Sequence, residues 1–309
     1  MEPLAPGMRR TGKVMRRMPG ASVAGATREE IERNSGAGAP EFFASILMGT
    51  RPRGVVTEDR VVDGVRVRIY TPSGPASARP LVVYFHGGGF VFGDLRGGDW
   101  MCGTVAKQLN AIVVSVDYRL APKHPFPAGV DDCYTALRWA ASHAGEIGAV
   151  GSRLGVMGES AGGNLAAVVA LMARDQNGPG IRHQALLYPV TGLEDSESRR
   201  ANADAFILTT ADMNRFGELY GGDHRDWRVS PIKAASFAGL PPAFIAVAGH
   251  DPLHDDGVAY ADALRAAGVP VRLEEYPSMP HGFMNFPRFA RDAKPAITAV
   301  VTAQRVALA

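Results

Sequence analysis

Gly158-Glu159-Ser160-Ala161-Gly162 stands between a short apolar run, Leu154 to Met157, and a long stretch of small and apolar residues, Ala161 to Arg174. A short apolar run that passes at once into a helix-favouring stretch predicts a strand turning sharply into a helix. With G-x-S-x-G at the junction, the turn is of the kind that lifts one hydroxyl, here that of Ser160, clear of a sheet edge. The same rhythm repeats on both sides. Leu81 to Phe85, Ile112 to Val116, Ala185 to Tyr188, Phe244 to Ala248 and Val271 to Tyr276 read as further strands. Asp99 to Leu109, Gly129 to His143, Asp256 to Ala267 and Ala290 to Leu308 read as the helices between and after them. Strands alternating with helices predict an α/β fold, with a mostly parallel central sheet and helices on both faces.

Two regions depart from this rhythm. The first 55 residues are polar and helical in pattern. Thr27-Arg28-Glu29-Glu30 fits a capping box, and Glu41 to Met48 carries Phe42, Phe43, Ile46 and Leu47 at helical spacing. Val61 to Tyr70 then reads as a hairpin turning at Asp63-Gly64. From Thr191 to Arg228, Ile207, Leu208, Met213, Phe216 and Leu219 sit among many charges, as in an insertion lying over the sheet edge. The expected organisation is an N-terminal helical cap segment, residues 1–55, and a core, residues 56–309, with a cap insertion at about 191–228.

Composition narrows the function classes. The chain has 309 residues, 46% of them apolar, with 36 Gly and 22 Pro spread along it rather than gathered in a linker. That suits one large α/β domain. A net charge of +2 gives no global attraction to nucleic acid. Cys102 and Cys133 are too few for a disulfide framework and read as buried reduced thiols, so a cytoplasmic location is expected. Arg9, Arg10, Lys13, Arg16 and Arg17 stand against Glu2 alone in the first twenty residues. The following run, Ala21 to Ala26, lacks the roughly 7–15 greasy residues of an export signal, so a solvated tail or an amphipathic helix is expected. No stretch approaches the ~20 apolar residues of a membrane span.

A serine hydroxyl is a weak nucleophile and needs a base, a carboxylate to orient the base, and donors for a developing oxyanion. His183, His224, His250, His254 and His281 all follow Ser160, but only His281 sits just past the last expected strand. His183 and His224 read as structural. His250 and His254 have the spacing of two helical metal ligands, but Pro252 intervenes and no third ligand is at hand. No metal is therefore expected. Asp251 follows the strand Phe244 to Ala248, whereas its rivals Asp255 and Asp256 open the next helix and read as N-terminal charges. His86-Gly87-Gly88-Gly89-Phe90 follows another strand end and exposes backbone amides that no Cβ shields, the pattern of an oxyanion loop. A phosphate cradle fails there, because neither G-x-G-x-x-G nor Gly-Lys-Ser/Thr can be written through it.

From about Val61 onward the chain resembles the bacterial hormone-sensitive-lipase-like esterases, the family IV carboxylesterases of the α/β-hydrolase superfamily. The resemblance rests on His86 to Phe90, Asp117-Tyr118-Arg119-Leu120-Ala121-Pro122, Pro125 to Ala128, Ser160 to Ala166, Asp251-Pro252-Leu253 and His281-Gly282-Phe283. It implies an α/β-hydrolase fold with an eight-stranded, mostly parallel sheet, a helical cap, no cofactor, and hydrolysis of short- to medium-chain acyl esters. Family members commonly have Asp where Glu159 stands, Glu where Lys123 stands and Arg where His254 stands, departures that remove no catalytic atom. The expected roles are Ser160 as nucleophile, His281 as base, Asp251 as its orienting carboxylate, and the amides of Gly88, Gly89 and Ala161 as the oxyanion hole. Phe90, Phe92, Phe283, Met284 and Phe286 flank these residues and are expected to line an acyl slot. Glu159 reads as a loop anchor. A small-molecule ester is the expected partner. Relatives pair through the last strand and helix, and the apolar segment Ala296 to Leu308 permits a homodimer. A deacetylase, amidase or lactonase could use the same machinery. A non-catalytic receptor such as the plant gibberellin receptor, which resembles these enzymes but lacks the histidine, is disfavoured by the presence of His281.

Overall fold

Asp63 and Gly64, with φ of 47° and 85°, take the left-handed conformations that a two-residue hairpin turn requires. They join strand β1 (Val55–Val62) to β2 (Val65–Pro72) in an antiparallel pair with Val62 opposite Val65. The computed structural model describes residues 2–15, 22–35, 47–76 and 78–309. Six further strands follow: β3 (Leu81–Phe85), β4 (Ile112–Asp117), β5 (Leu154–Glu159), β6 (Ile181–Leu187), β7 (Ala243–His250) and β8 (Val271–Pro280). The sheet order is β1-β2-β4-β3-β5-β6-β7-β8. β2 pairs antiparallel with β4, and every later pairing is parallel. The fold is therefore the mostly parallel α/β-hydrolase architecture.

Helices cover both faces. Leu81, Val83 and Phe85 of β3 point into one apolar layer, while Val82 and Tyr84 point into the other, the alternation that a strand imposes. The first layer is closed by α4 (Ala128–Ser142), α5 (Ala161–Asp175) and α8 (His254–Ala266). The second is closed by α3 (Asp99–Leu109) and α9 (Ala293–Ala307). Cys102 and Cys133 are free and buried, one in each layer. Arg119 pairs with Asp132 at 2.8 Å, and Asp117 pairs with Arg66, so these charges serve the framework. β7 and β8 run longer than their apolar cores alone suggest, ending at His250 and Pro280.

The N-terminal helices α1 (Pro6–Met15) and α2 (Arg28–Ser35) dock on the body. Met8 is fully buried, so the part of the basic segment in α1 packs on the body as an amphipathic helix rather than as a solvated tail. The capping box forms: Glu30 N–H donates to Thr27 Oγ1 at 3.2 Å, and Thr27 N–H donates to Glu30 Oε2 at 2.9 Å. Arg16, Arg17, Phe42, Phe43 and Ile46 lie outside the described residues. Between β6 and β7 the chain adds α6 (Glu197–Ala201) and α7 (Thr210–Tyr220). Asp212, in the first turn of α7, accepts from the Ser22 hydroxyl at 2.5 Å and from the Val23 and Ala24 amides at 2.8 and 3.1 Å. Among the described residues, no helix is long and apolar enough to cross a membrane.

Candidate active site

The junction of β5 and α5 sets the site. Ser160 takes φ 53° and ψ −118°, a conformation costly for a residue with a side chain. The flanking glycines show what holds it there. A Cβ on Gly162 would lie 2.0 Å from the Phe85 carbonyl oxygen, and one on Gly158 would lie 2.0 Å from that of Gly162. Only glycine allows strand and helix to pass this closely. Ser160 N–H donates to Leu187 O at 2.9 Å, fixing the elbow to the next strand.

The histidine and the acid arrive from the far strands. A Cβ on Gly249 would lie 2.2 Å from Pro277 O, so the ends of β7 and β8 converge closely and the loops beyond them meet. His281 Nε2 lies 2.9 Å from Ser160 Oγ, and His281 Nδ1 lies 2.7 Å from Asp251 Oδ2. Asp251 is fully buried, and its other oxygen accepts from Leu253 N–H at 2.8 Å. The Tyr188 ring meets the imidazole edge-on at 5.1 Å between centroids. Asp255 and Asp256 lie in the first turn of α8, but their carboxylates are engaged by the insertion. Asp255 accepts from Ser198 N–H at 2.8 Å and faces His254 Nδ1 at 3.0 Å. Asp256 gathers the amides of Thr191, Gly192 and Leu193 at 2.8, 3.0 and 3.3 Å and faces Arg199. Burial pushes the Asp256 carboxyl up, opposed by the Arg199 charge and these amides.

The glycine loop adjoins the serine. Gly88 has φ 116°, and a Cβ there would lie 2.2 Å from Phe92 O. Its carbonyl accepts from Val91 and Phe92, which turns the loop back on itself. The amides of Gly88 and Gly89 donate to no protein acceptor among the described residues. Ala161 is the first residue of α5, where an amide has no intrahelical partner and the helix dipole favours negative charge. His86 stacks on Tyr118 at 4.3 Å and points Nδ1 at Gly87 O at 2.8 Å. Burial lowers its pKa, keeping it neutral.

Glu159 is buried behind the serine as a hydrogen-bond hub. It accepts from the hydroxyls of Tyr84 at 3.0 Å and Tyr188 at 3.1 Å, from Asn285 Nδ2, and from Gly87 N–H at 3.4 Å. The carboxylate thus ties the elbow to β3, to the end of β6 and to the loop beyond His281. Tyr84, Tyr188 and Asn285 carried no signal in the sequence, because a lone Tyr or Asn reads as ordinary packing until its partner is known. His250 bonds to Glu2 O at 2.8 Å, and His254 faces Asp255 and Glu275. Among the described residues, no group of three or more His, Cys, Asp or Glu could hold a metal.

A cavity of about 710 Å³ opens over Ser160. Gly89, Phe90 and Ala161 line it from below, and Leu208, Met213, Phe216, Tyr220 and His224 line it from the insertion. Of the five residues expected to form an acyl slot, only Phe90 reaches this wall. Phe283, Met284 and Phe286 point the other way, into the apolar layer with Tyr84 and Tyr188, because the turn after His281 folds back under the sheet edge. Phe92 packs edge-on against Phe216 instead, at 6.1 Å. In sequence, Leu208, Met213 and Phe216 were visible only as apolar positions among charges, and His224, read there as structural, also lines the cleft. Which of them face the cleft depends on how the helix is docked.

With this geometry in place, the likeness to known proteins is specific. Residues 82–285 match a family described as alpha/beta hydrolase fold. The Mycobacterium tuberculosis protein "Esterase LipI" is 44% identical over 261 residues, covering 81% of this chain and 82% of its own. The "Ethyl acetate hydrolase" of Pseudomonas putida is 36% identical over 247 residues, covering 77% of each. The solved structure of a hyperthermophilic esterase from the archaeon Pyrobaculum calidifontis superimposes with a TM-score of 0.87 at 33% identity, covering 100% of both chains. The chain belongs to the α/β-hydrolase family and, within it, to the hormone-sensitive-lipase-like family IV carboxylesterases. It is a carboxylic ester hydrolase.

Proposed function

We propose that this chain is a serine carboxylesterase that cleaves short- to medium-chain acyl esters through an acyl-enzyme. The observation that carries this reading is the unbroken run of hydrogen bonds from buried Asp251 through His281 to Ser160, at 2.7 and 2.9 Å. Ser160 Oγ attacks the ester carbonyl as His281 Nε2 takes its proton. Asp251 holds the imidazole tautomer and stabilises the imidazolium without being protonated itself. The oxyanion settles against the amides of Gly88, Gly89 and Ala161, each such donor being worth roughly 3–4 kcal/mol of barrier. His281 returns the proton to the leaving alcohol, and water repeats the cycle to free the acid.

Phe90 and the insertion wall the cleft that receives the acyl group, and the short ester in the name of the Pseudomonas putida relative supports a preference for small ones. Maximal activity on acyl chains longer than about ten carbons, read as kcat/KM across a series of esters, would contradict it. The hydrogen bonds from Ser22, Val23 and Ala24 to Asp212 support reading residues 1–55 and the insertion at about 191–228 as one cap over a core of residues 56–309. The test is covalent. An organophosphonate should label purified protein one to one at Ser160 and abolish ester hydrolysis, and Ser160→Ala should neither label nor turn over. Near-wild-type hydrolysis by Ser160→Ala would refute the assignment.

A further inference from the structure

Phe90 follows the two oxyanion glycines and sits at φ 64°, left-handed backbone that a bulky side chain resists. Gly88 and Gly89, at φ 116° and 63°, precede it. Three consecutive left-handed residues do not hold their shape unaided, so the support must come from the surroundings. Part of it is local. Phe90 O accepts from Ala121 N–H at 2.9 Å, and Gly88 O accepts from Val91 and Phe92. The remainder comes from a helix more than a hundred residues further along the chain.

Phe216 and Tyr220 stand four positions apart on α7 and so share one face of it. That face lies on the oxyanion loop. The Tyr220 ring stacks flat on Phe90, with centroids 4.0 Å apart and planes within 12°. Phe216 meets Phe92 edge-on and abuts Gly89 so closely that a Cβ there would lie 2.5 Å from its ring. The helix is fixed at both ends. At its start, Thr209 and Asp212 form a capping box, and Asp212 also holds the N-terminal segment. At its end, Tyr220 O accepts from Phe126 N–H at 2.9 Å. The Tyr220 hydroxyl has no hydrogen-bond partner among the described residues, so it is the ring and not the phenol that makes the contact.

From this we propose that Phe216 and Tyr220 are positioning residues for the oxyanion hole: the cap helix clamps the Gly88–Phe92 loop and aims the Gly88 and Gly89 amides at the reacting carbonyl. The proposal rests on the serine-esterase reading and deepens it. In the alternative, the two rings merely wall the substrate cleft. A wall acts on every ligand of a given shape, whereas an aimed donor acts on the oxyanion.

A matched pair of inhibitors separates these. A short alkyl trifluoromethyl ketone adds the serine and places an oxyanion in the hole; the methyl ketone of the same chain length occupies the cleft without it. For Tyr220→Leu we expect the trifluoromethyl ketone to bind about 10-fold more weakly or worse, and kcat to fall by a similar factor. Because Tyr220 also lines the cleft, KM and the methyl ketone affinity should weaken too, but by a clearly smaller factor than the trifluoromethyl ketone, and Tyr220→Phe should restore all four readouts, since it keeps the stack. Equal weakening of both ketones, a loss confined to KM, or a Tyr220→Phe variant as impaired as Tyr220→Leu would overturn the proposal. Should Tyr220→Leu fail to fold, Phe216→Leu carries the same test through Gly89 and Phe92. Failure of the underlying esterase reading looks different: the wild-type protein itself would then show no preference for the trifluoromethyl ketone.

Discussion

Replacing Glu159 with alanine asks whether the residue beside Ser160 anchors the elbow or moves protons. In the native fold its carboxylate takes hydrogen bonds from Tyr84, Tyr188 and Asn285, with a longer one from the Gly87 amide. Both tyrosines are fully buried, and burial together with the nearby Glu159 charge holds their phenols well above the usual range, so both are donors at every working pH. Glu159→Ala orphans three side-chain donors, each costing about 1–3 kcal/mol if left without a partner. Against this stands the relief of no longer burying a charge, and a water entering the vacated space would satisfy part of the set. The net expectation is a loss of roughly 3–5 kcal/mol, with Glu159→Gln losing about half as much because its amide oxygen still accepts. Urea unfolding followed by far-UV circular dichroism reads this directly, as a shift of the midpoint at constant slope. Folded Glu159→Gln should keep the shape of the pH–rate profile. Unchanged stability in Glu159→Ala, accompanied by a displaced acid limb of that profile, would refute the anchoring argument and make Glu159 a proton-transfer group.

Three more outcomes follow from the same geometry. Asp251→Asn should cut turnover by about 10⁴, by analogy with other triads, while Asp255→Asn stays far closer to wild type; kinetics on one aryl ester compare them, and the reverse ranking would mean the carboxylates are misassigned. Gly162→Ala should yield little active enzyme, because its methyl group would need the space of the Phe85 carbonyl; full activity with an unshifted melting temperature contradicts that. His183 gives a pH signature. Burial lowers its pKa from 6.5 to about 4, so between those values the unfolded chain holds a proton that the folded one does not. Stability therefore rises with pH across that window and is lost on acidification, by about 3 kcal/mol in all. Unfolding of His183→Leu should show a correspondingly flatter pH dependence between 4 and 6.5, and an unaltered slope would count against it.

Strand and helix order, the elbow and the glycine loop could all be read along the chain, because each is a local matter of hydrophobic period, turn chemistry and short spacing. Leu81 to Phe85 and Asp99 to Leu109 coincide with a strand and a helix of the structure for that reason. Ser160, Asp251 and His281 could be singled out because each follows the end of an apolar run in a parallel sheet. The contacts that join such runs were not legible. The convergence of β7 and β8, the tyrosines that serve Glu159, and the turn that sends Phe283 and Met284 into the core each depend on residues far apart in the chain. The cavity wall depends on them too: the period of α7 marks an apolar face, but only its docking on the glycine loop puts Phe216 and Tyr220 over Gly89 and Phe90. Periodicity is a property of neighbours along the chain, whereas a binding surface is made where distant segments pack, and that packing is decided only by the folded whole.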